Sequence, residues 1–156
     1  EADEEAMRRD YGVNFVAPFT LMQQFARQCR AGFIINLLDQ RVATTDPGAG
    51  AYGLAKKSLR DVTEAAAIEW APAIRVNAVA PGLVLPPPGV APEKMLPLLA
   101  NIPMGCPSSP AEVAAACVFL AMAETITGHI LYVDGGMHLA PCVQPEQEKS
   151  REDSAP

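Results

Sequence analysis

The apolar residues of this chain occur either in short runs or at helical spacing, and the two kinds of segment alternate along the sequence. Short apolar runs predict strands over 33–38, 74–79 and 129–133. Longer stretches with apolar residues three or four positions apart predict helices over 3–30, 51–71 and 110–123, with short helical pieces near 92–100. Because helices and strands alternate, we predict an α/β fold with a doubly wound parallel sheet. Such sheets normally carry about five or more strands, so three are few.

Breaks in these patterns predict local features. Pro18 lies inside the first helical stretch and predicts a kink or bend there. The strand over 33–38 is apolar on both faces, which is typical of a buried strand in a parallel sheet. Residues 80–89 are rich in proline and predict a loop, because proline cannot donate to a strand ladder. Asn36 and Asn77 fall within predicted strands, where we expect both to bond backbone groups.

Composition and charge narrow the classes of protein that fit. The chain has 156 residues, about half of them apolar, and a net charge of −6, as expected for one globular domain. Basic residues never cluster beyond a pair, so we expect no nucleic acid or membrane partner. The acidic start is unlike a signal peptide, and we expect a cytoplasmic protein. The four cysteines form no closely spaced pair, so no metal site is expected. We expect residues 1–141 to fold and 142–156 to form a disordered tail.

Residues 48–53 spell GAGAYG, the G-x-G-x-x-G pattern of dinucleotide-binding loops. The first glycine of such a loop must follow a strand directly, but the preceding strand ends near Leu38. The next strand also lacks an acid at its end, so we do not interpret the segment as a phosphate loop. The same stretch places Tyr52 and Lys56 one helical turn apart on one face. An ammonium there stabilises a phenolate, and we expect it to lower the pKa of Tyr52.

Four motifs carry a family resemblance: GFIIN at 32–36, AYGLAK at 51–56, IRVNAVAPG at 74–82 and TGHILYVDGG at 127–136. In this order and spacing they resemble the C-terminal half of a short-chain dehydrogenase/reductase, over residues 4–140. The resemblance implies a Rossmann-like sheet, a nicotinamide cofactor and a catalytic set comprising Asn14, Tyr52 and Lys56. It also implies that the turn lying against the nicotinamide consists of Pro81, Gly82, Leu83 and Val84.

One position departs from the usual family pattern. In most members a serine stands where this chain has Asp39. With an aspartate at this position, the chain resembles the pteridine reductases and dihydromonapterin reductases, which reduce C=N bonds of pterin rings with NADPH. This resemblance implies that Tyr52 donates a proton and also contacts the cofactor, that Asp39 relays protons and anchors the pterin, and that Lys56 holds the nicotinamide ribose. Asn14 would hold a water in the proton path.

The chain begins where the family's fourth helix begins, so we expect it to be the catalytic half of a longer reductase. The parts of the family fold that bind most of the cofactor, and that decide between NADPH and NADH, would lie upstream. Residues 1–156 alone should then bind NADPH poorly, and the strand over 33–38 should have an open edge. We expect homo-oligomers through helices 4–30 and 51–71. Two alternatives remain open: a dehydrogenase for ordinary ketones or alcohols, and a non-catalytic module that keeps only these assembly helices.

Overall fold

A computed structural model describes residues 4–44, 47–86 and 89–139. Within these residues, three parallel strands form one sheet in the order β1-β2-β3, with helices on both faces. In chain order the helices and strands are α1 (Glu4–Tyr11), α2 (Ala17–Gln28), β1 (Gly32–Leu37), α3 (Gly50–Glu69), β2 (Ile74–Pro81), α4 (Leu96–Leu99), α5 (Pro110–Met122) and β3 (Ile130–Val133). The α/β architecture predicted from the alternating pattern is confirmed.

The core has two halves because β2 lies in the middle of the sheet and side chains alternate across it. On one face, Val76 and Ala78 pack with residues of α2 and α3, including Met22 and Leu59. On the other face, Val79 packs with residues of α5 such as Leu120. The sheet is thus covered from both sides, as in doubly wound folds.

The first predicted helix contains a wider turn. A π-helical segment, Gly12–Val16, joins α1 to α2, and Pro18 lies in the first turn of α2. The irregularity predicted at Pro18 therefore occurs just before it. A proline at this position cannot donate to the carbonyl of Asn14, four residues earlier, as an unbroken α-helix would require. The π segment carries Asn14 itself, and π turns are frequent at functional sites.

The prediction that β1 is buried on both faces is wrong. Phe33 is 46% exposed and Leu37 53% exposed, on the same face as Ile35, which packs against the α5 side of the core. α5 thus covers the middle of β1 and leaves both ends open. In the part of the chain that the structure describes, β1 pairs only with β2, so the predicted open edge is confirmed.

The prediction of a loop from residue 80 onwards is also wrong at its start. β2 continues through Ala80 and Pro81, and Pro81 lies opposite Val133 of β3. The missing N–H of Pro81 does not break this ladder, because the N–H of Gly82 donates to the Val133 carbonyl at 3.0 Å. Proline is tolerated here because it is the last residue of the strand.

The two strand asparagines behave differently. Asn77 is fully buried, and its side chain bonds two backbone groups, as predicted: Nδ2 donates to the Ile126 carbonyl at 2.8 Å and Oδ1 accepts the His129 N–H at 2.9 Å. Asn36 instead donates to the Thr63 hydroxyl of α3 at 2.8 Å, so its predicted backbone bond is wrong. Its side chain faces the helix layer, where Thr63 offers the acceptor.

No helix among the described residues is both long and apolar enough to cross a membrane. The segment predicted to be a disordered tail, 142–156, lies outside the described residues.

Candidate active site

The predicted site residues come together at the carboxyl ends of the strands. Leu38 and Asp39 follow β1 directly, and Gly82 follows β2. Because β1 and β2 run parallel, their carboxyl ends lie at the same end of the sheet. This is the end at which ligands bind in open α/β sheets. Gly48 lies in a 3₁₀ turn, Pro47–Ala49, and Gly50 begins α3, so neither glycine follows β1 directly.

A hydrogen bond joins Asp39 to Tyr52. The phenol of Tyr52, in the first turn of α3, donates to Asp39 Oδ2 at 3.0 Å. The other carboxylate oxygen, Oδ1, accepts the backbone N–H of Arg41 at 2.9 Å, which fixes Asp39 as the cap of a 3₁₀ turn, Gln40–Val42. The N–H of Arg41 thus holds one carboxylate oxygen of Asp39, and the other oxygen accepts the phenol of Tyr52.

The electrostatic prediction for Tyr52 is wrong in sign. Burial raises the pKa of Tyr52 well above its ordinary value, and the charge and hydrogen bond of Asp39 raise it further. Lys56 does not offset this, because its Nζ lies 5.8 Å from the Tyr52 ring centroid and donates to the Leu37 carbonyl at 2.8 Å. Tyr52 therefore holds its proton at neutral pH, as a proton donor requires.

Lys56 lies on the next turn of α3, facing the open edge of β1. Burial lowers the pKa of its ammonium, and the charge of Asp39 acts in the opposite direction. An ammonium has three N–H donors, and the bond to the Leu37 carbonyl uses one. Two donors remain, which suits a pair of ribose hydroxyls.

Asn14 shares a cavity with Lys56. The cavity has a volume of about 570 Å³, and most of its other lining residues are apolar residues of α2 and β1. The side-chain amide of Asn14 donates to the Asp10 carbonyl at 3.1 Å, within its own helix. The structure thus brings Asn14 toward Lys56, and its role as a water-holding residue stays a prediction.

The predicted nicotinamide turn, residues 81–84, is held by backbone contacts. Leu83 accepts a hydrogen bond from the Ser108 N–H at 2.9 Å, and Val84 is half-buried. Gly82 packs so closely on β3 that a Cβ there would lie 2.7 Å from Asp134 Cβ and 2.9 Å from its Cα. Only glycine fits this contact without a shift of the backbone.

Sequence reasoning missed a cluster beside this turn. Asp134, directly after β3, is buried and accepts bonds from the backbone N–H groups of Gly136 and His138. His138 Nδ1 also lies 2.8 Å from Asp134 Oδ2, and its ring stacks on Tyr132 with centroids 4.1 Å apart. The Asp-Gly-Gly turn was visible in the sequence, but nothing there indicated a His–Asp pair, or that the turn Met137–Leu139 lies against the turn Gln40–Val42 that follows Asp39.

Comparison with known proteins agrees with this fold. A family model described as Enoyl-(Acyl carrier protein) reductase matches residues 1–138. Galactitol 2-dehydrogenase (L-tagatose-forming) of Cereibacter sphaeroides is 36% identical, over 87% of this chain and 58% of that protein. 3beta-hydroxysteroid dehydrogenase 1 of Eggerthella lenta is 34% identical, over 90% of this chain and 58% of that protein.

Among solved structures, FolM Alternative dihydrofolate reductase 1 from Brucella suis, in complex with NADP, is similar with a TM-score of 0.85. It is 30% identical, and the match covers 90% of this chain and 58% of that one. The chain therefore spans somewhat more than half the length of each of these three proteins.

Proposed function

Because the chain belongs to the short-chain dehydrogenase/reductase family, we propose that it is the catalytic portion of an NADPH-dependent reductase. Its substrate would be the C=N bond of a pterin or dihydrofolate-like ring. The observation that carries this proposal is the hydrogen bond from Tyr52 to the carboxylate of Asp39, at the position where most of the family has serine. The similarity to the FolM reductase structure supports the same substrate class.

The residues present fit the nicotinamide end of the cofactor. Lys56 has two free ammonium donors for ribose hydroxyls, beside the half-buried Tyr52. The turn formed by residues 81–84 offers a backbone surface at the same end of the sheet, where the strands have their carboxyl ends. We choose NADPH over NADH because the similar FolM structure is a complex with NADP.

A bound reduced nicotinamide would supply a hydride to the ring carbon of the C=N bond. Tyr52 would give its proton to the adjacent nitrogen, so that one C–H and one N–H bond form as the C=N double bond becomes single. The nitrogen left by hydride addition is a strong base, so a phenol with a raised pKa is still an adequate donor. Asp39 would accept a hydrogen bond from a ring N–H of the substrate. A proton that its carboxylate takes up from solvent water would then pass to the phenolate left on Tyr52.

Asp39→Ser tests the substrate class. On dihydropterins and dihydrofolate we expect kcat/KM to fall about 100-fold, because serine offers no charged acceptor for the ring N–H groups. On ordinary ketones we expect little change. Steady-state rates of NADPH oxidation by the complete protein, on both substrate classes, measure the difference.

Glu124→Ser is the matched control, since it removes one exposed negative charge between α5 and the start of β3, at the amino ends of the strands, whereas Asp39 lies at their carboxyl ends. It should leave both substrate classes unaffected. Unchanged pterin turnover in Asp39→Ser would rule out the pterin assignment.

A second candidate function is supported by the sequence relatives. Galactitol 2-dehydrogenase and 3beta-hydroxysteroid dehydrogenase 1 are named for alcohol substrates. In such a reaction Tyr52 would donate its proton to a carbonyl oxygen or take it from an alcohol, and Asp39 would only orient the phenol. Under this alternative, Asp39→Ser should keep or improve carbonyl turnover and no pterin should be reduced.

We also propose that the protein forms a homo-oligomer through α1, α2 and α3. Leu21 on α2 is 70% exposed and Ile68 on α3 is 82% exposed, which leaves apolar surface on both helices. Sedimentation velocity should give a mass of at least two subunits, and the double variant Leu21→Glu, Ile68→Glu should shift it toward one. A monomer in the unaltered protein would contradict this proposal.

A further inference from the structure

We propose that His138 is a positioning residue: together with Asp134 and Tyr132 it holds the Asp39 turn, residues 39–42, in place against Tyr52. This inference rests on the proposed function, in which the Asp39–Tyr52 pair handles the proton. His138 is not expected to touch substrate or cofactor. Its effect would pass through the position of Asp39.

Asp134 and His138 are joined by hydrogen bonds of both the backbone and the side chains. Asp134 is 4% exposed, and its carboxylate accepts the N–H of Gly136 at 3.0 Å and the N–H of His138 at 2.7 Å. Because a carboxylate only accepts, Nδ1 of His138 is the donor in the 2.8 Å contact with Asp134 Oδ2. His138 is thus tied to Asp134 by its backbone and by its ring.

The ring of His138 connects this hydrogen-bonded pair to the core beneath the Asp39 turn, through Tyr132. It lies nearly parallel to the ring of Tyr132, with 15° between the planes. Tyr132 packs against the core cluster that contains Val42, and Val42 is 1% exposed. The N–H of Val42 donates to the carbonyl of Asp39 at 3.1 Å, so the position of Val42 sets that of Asp39.

The Asp39 turn needs this support because its outer side is open. Arg41 and Ala43 are exposed, so packing holds the turn mainly through Val42. Arg60 of α3 donates to the Val42 carbonyl at 2.9 Å from one side. From another side, the 3₁₀ turn Met137–Leu139, which carries His138, lies against the turn Gln40–Val42.

The same unit also contacts the other wall of the proposed site. Asp134 packs directly on Gly82, at the start of the predicted nicotinamide turn. One cluster at the end of β3 therefore contacts both the turn that carries the acid and the turn predicted to face the cofactor. This juxtaposition is what assigns His138 a positioning role.

Two conservative variants separate the contacts of His138. His138→Asn keeps a donor near the position of Nδ1 but loses the ring that stacks on Tyr132. His138→Phe keeps the ring but loses the bond to Asp134. We expect each to retain part of the function and His138→Ala to lose it, and the first two carry the test if His138→Ala does not fold.

A double-mutant cycle on dihydropterin reduction by the complete protein tests the route through Asp39. We expect His138→Ala to lower single-turnover hydride transfer about tenfold when Asp39 is present, and less than about twofold in the Asp39→Ser background. The KM for NADPH, from steady-state rates, should stay the same, because Asp134 still packs on Gly82 in this variant. Equal losses in both backgrounds would mean a general structural effect and would overturn the proposal.

Hydrogen exchange gives a readout that does not depend on activity. In His138→Ala, amides of residues 39–43 should exchange at least about fivefold faster, while those of the buried strand β2 keep their protection. Unchanged exchange at 39–43 would overturn the positioning role. If the unaltered protein reduces no pterin but exchange at 39–43 still responds to His138, the proposed function fails and the contact between the two turns stands.

Discussion

Tyr52→Phe is expected to lower kcat for the proposed reduction about 1,000-fold, within the range that loss of a general acid produces. The substitution removes the hydroxyl that donates to Asp39 at 3.0 Å and keeps the ring in the first turn of α3. Without it, the nitrogen or oxygen that takes up the electron pair of the broken π bond has no proton donor at this position. Single-turnover oxidation of NADPH, followed by absorbance, measures the loss.

Tyr11→Phe is the matched control, because Tyr11 ends α1 and contacts Phe15 rather than Asp39. It should keep full activity and bind NADPH as the unaltered protein does. A loss of less than tenfold in Tyr52→Phe would remove Tyr52 from the reaction.

The pH dependence follows from the same contacts. Burial and Asp39 raise the pKa of Tyr52, so in the protein without substrate the phenol loses its proton only above the ordinary tyrosine range. Ionisation of Tyr52 should therefore cause no fall in the single-turnover rate between pH 7 and about 10.

Asn77→Ala is expected to lower the free energy of unfolding by about 3 kcal/mol, the largest effect on stability that we predict. Asn77 lies in the central strand, fully buried, and satisfies both the Ile126 carbonyl and the His129 N–H. Alanine would leave these two backbone groups without the amide that pairs them. Because both groups lie just before β3, the loss should loosen the strand that leads to Asp134 and Gly135. Urea unfolding followed by circular dichroism measures the change.

Asn101→Ala is the control for this prediction. Asn101 lies in a turn after α4, and its backbone N–H, which the substitution keeps, donates to the Leu98 carbonyl. Its cost should stay below about 1 kcal/mol, as for substitutions away from buried networks. If Asn77→Ala cost no more than this control, the buried amide would not be what holds the segment before β3 against β2.

Much of the fold was predictable because it depends on local patterns. The bounds of α3 and β1 lie within one or two residues of the predictions, since turn residues and prolines mark their ends. The burial of β1 was not predictable in the same way. Phe33 and Leu37 are as apolar as core residues, and their exposure depends on how much of the sheet α5 covers.

The candidate site was likewise predictable from the sequence only in part. Tyr52 and Lys56 could be paired from the sequence, because a spacing of four residues places them on one helical face wherever the helix lies. The resemblance drew attention to Asp39, but only the folded chain brings its carboxylate to 3.0 Å from the phenol. The sign of the pKa shift followed from that contact and from burial, neither of which a linear spacing contains.

Residue order alone thus established the α/β class, the alternation of its elements and the residue types available for proton transfer, because these depend on neighbours along the chain. The tertiary structure decided which of them act together. It turned Lys56 toward the Leu37 carbonyl, and it stacked His138 on Tyr132 beside the Asp39 turn. His138 and Asp39 are far apart in sequence, so their proximity depends on parallel strands ending at the same edge of one sheet.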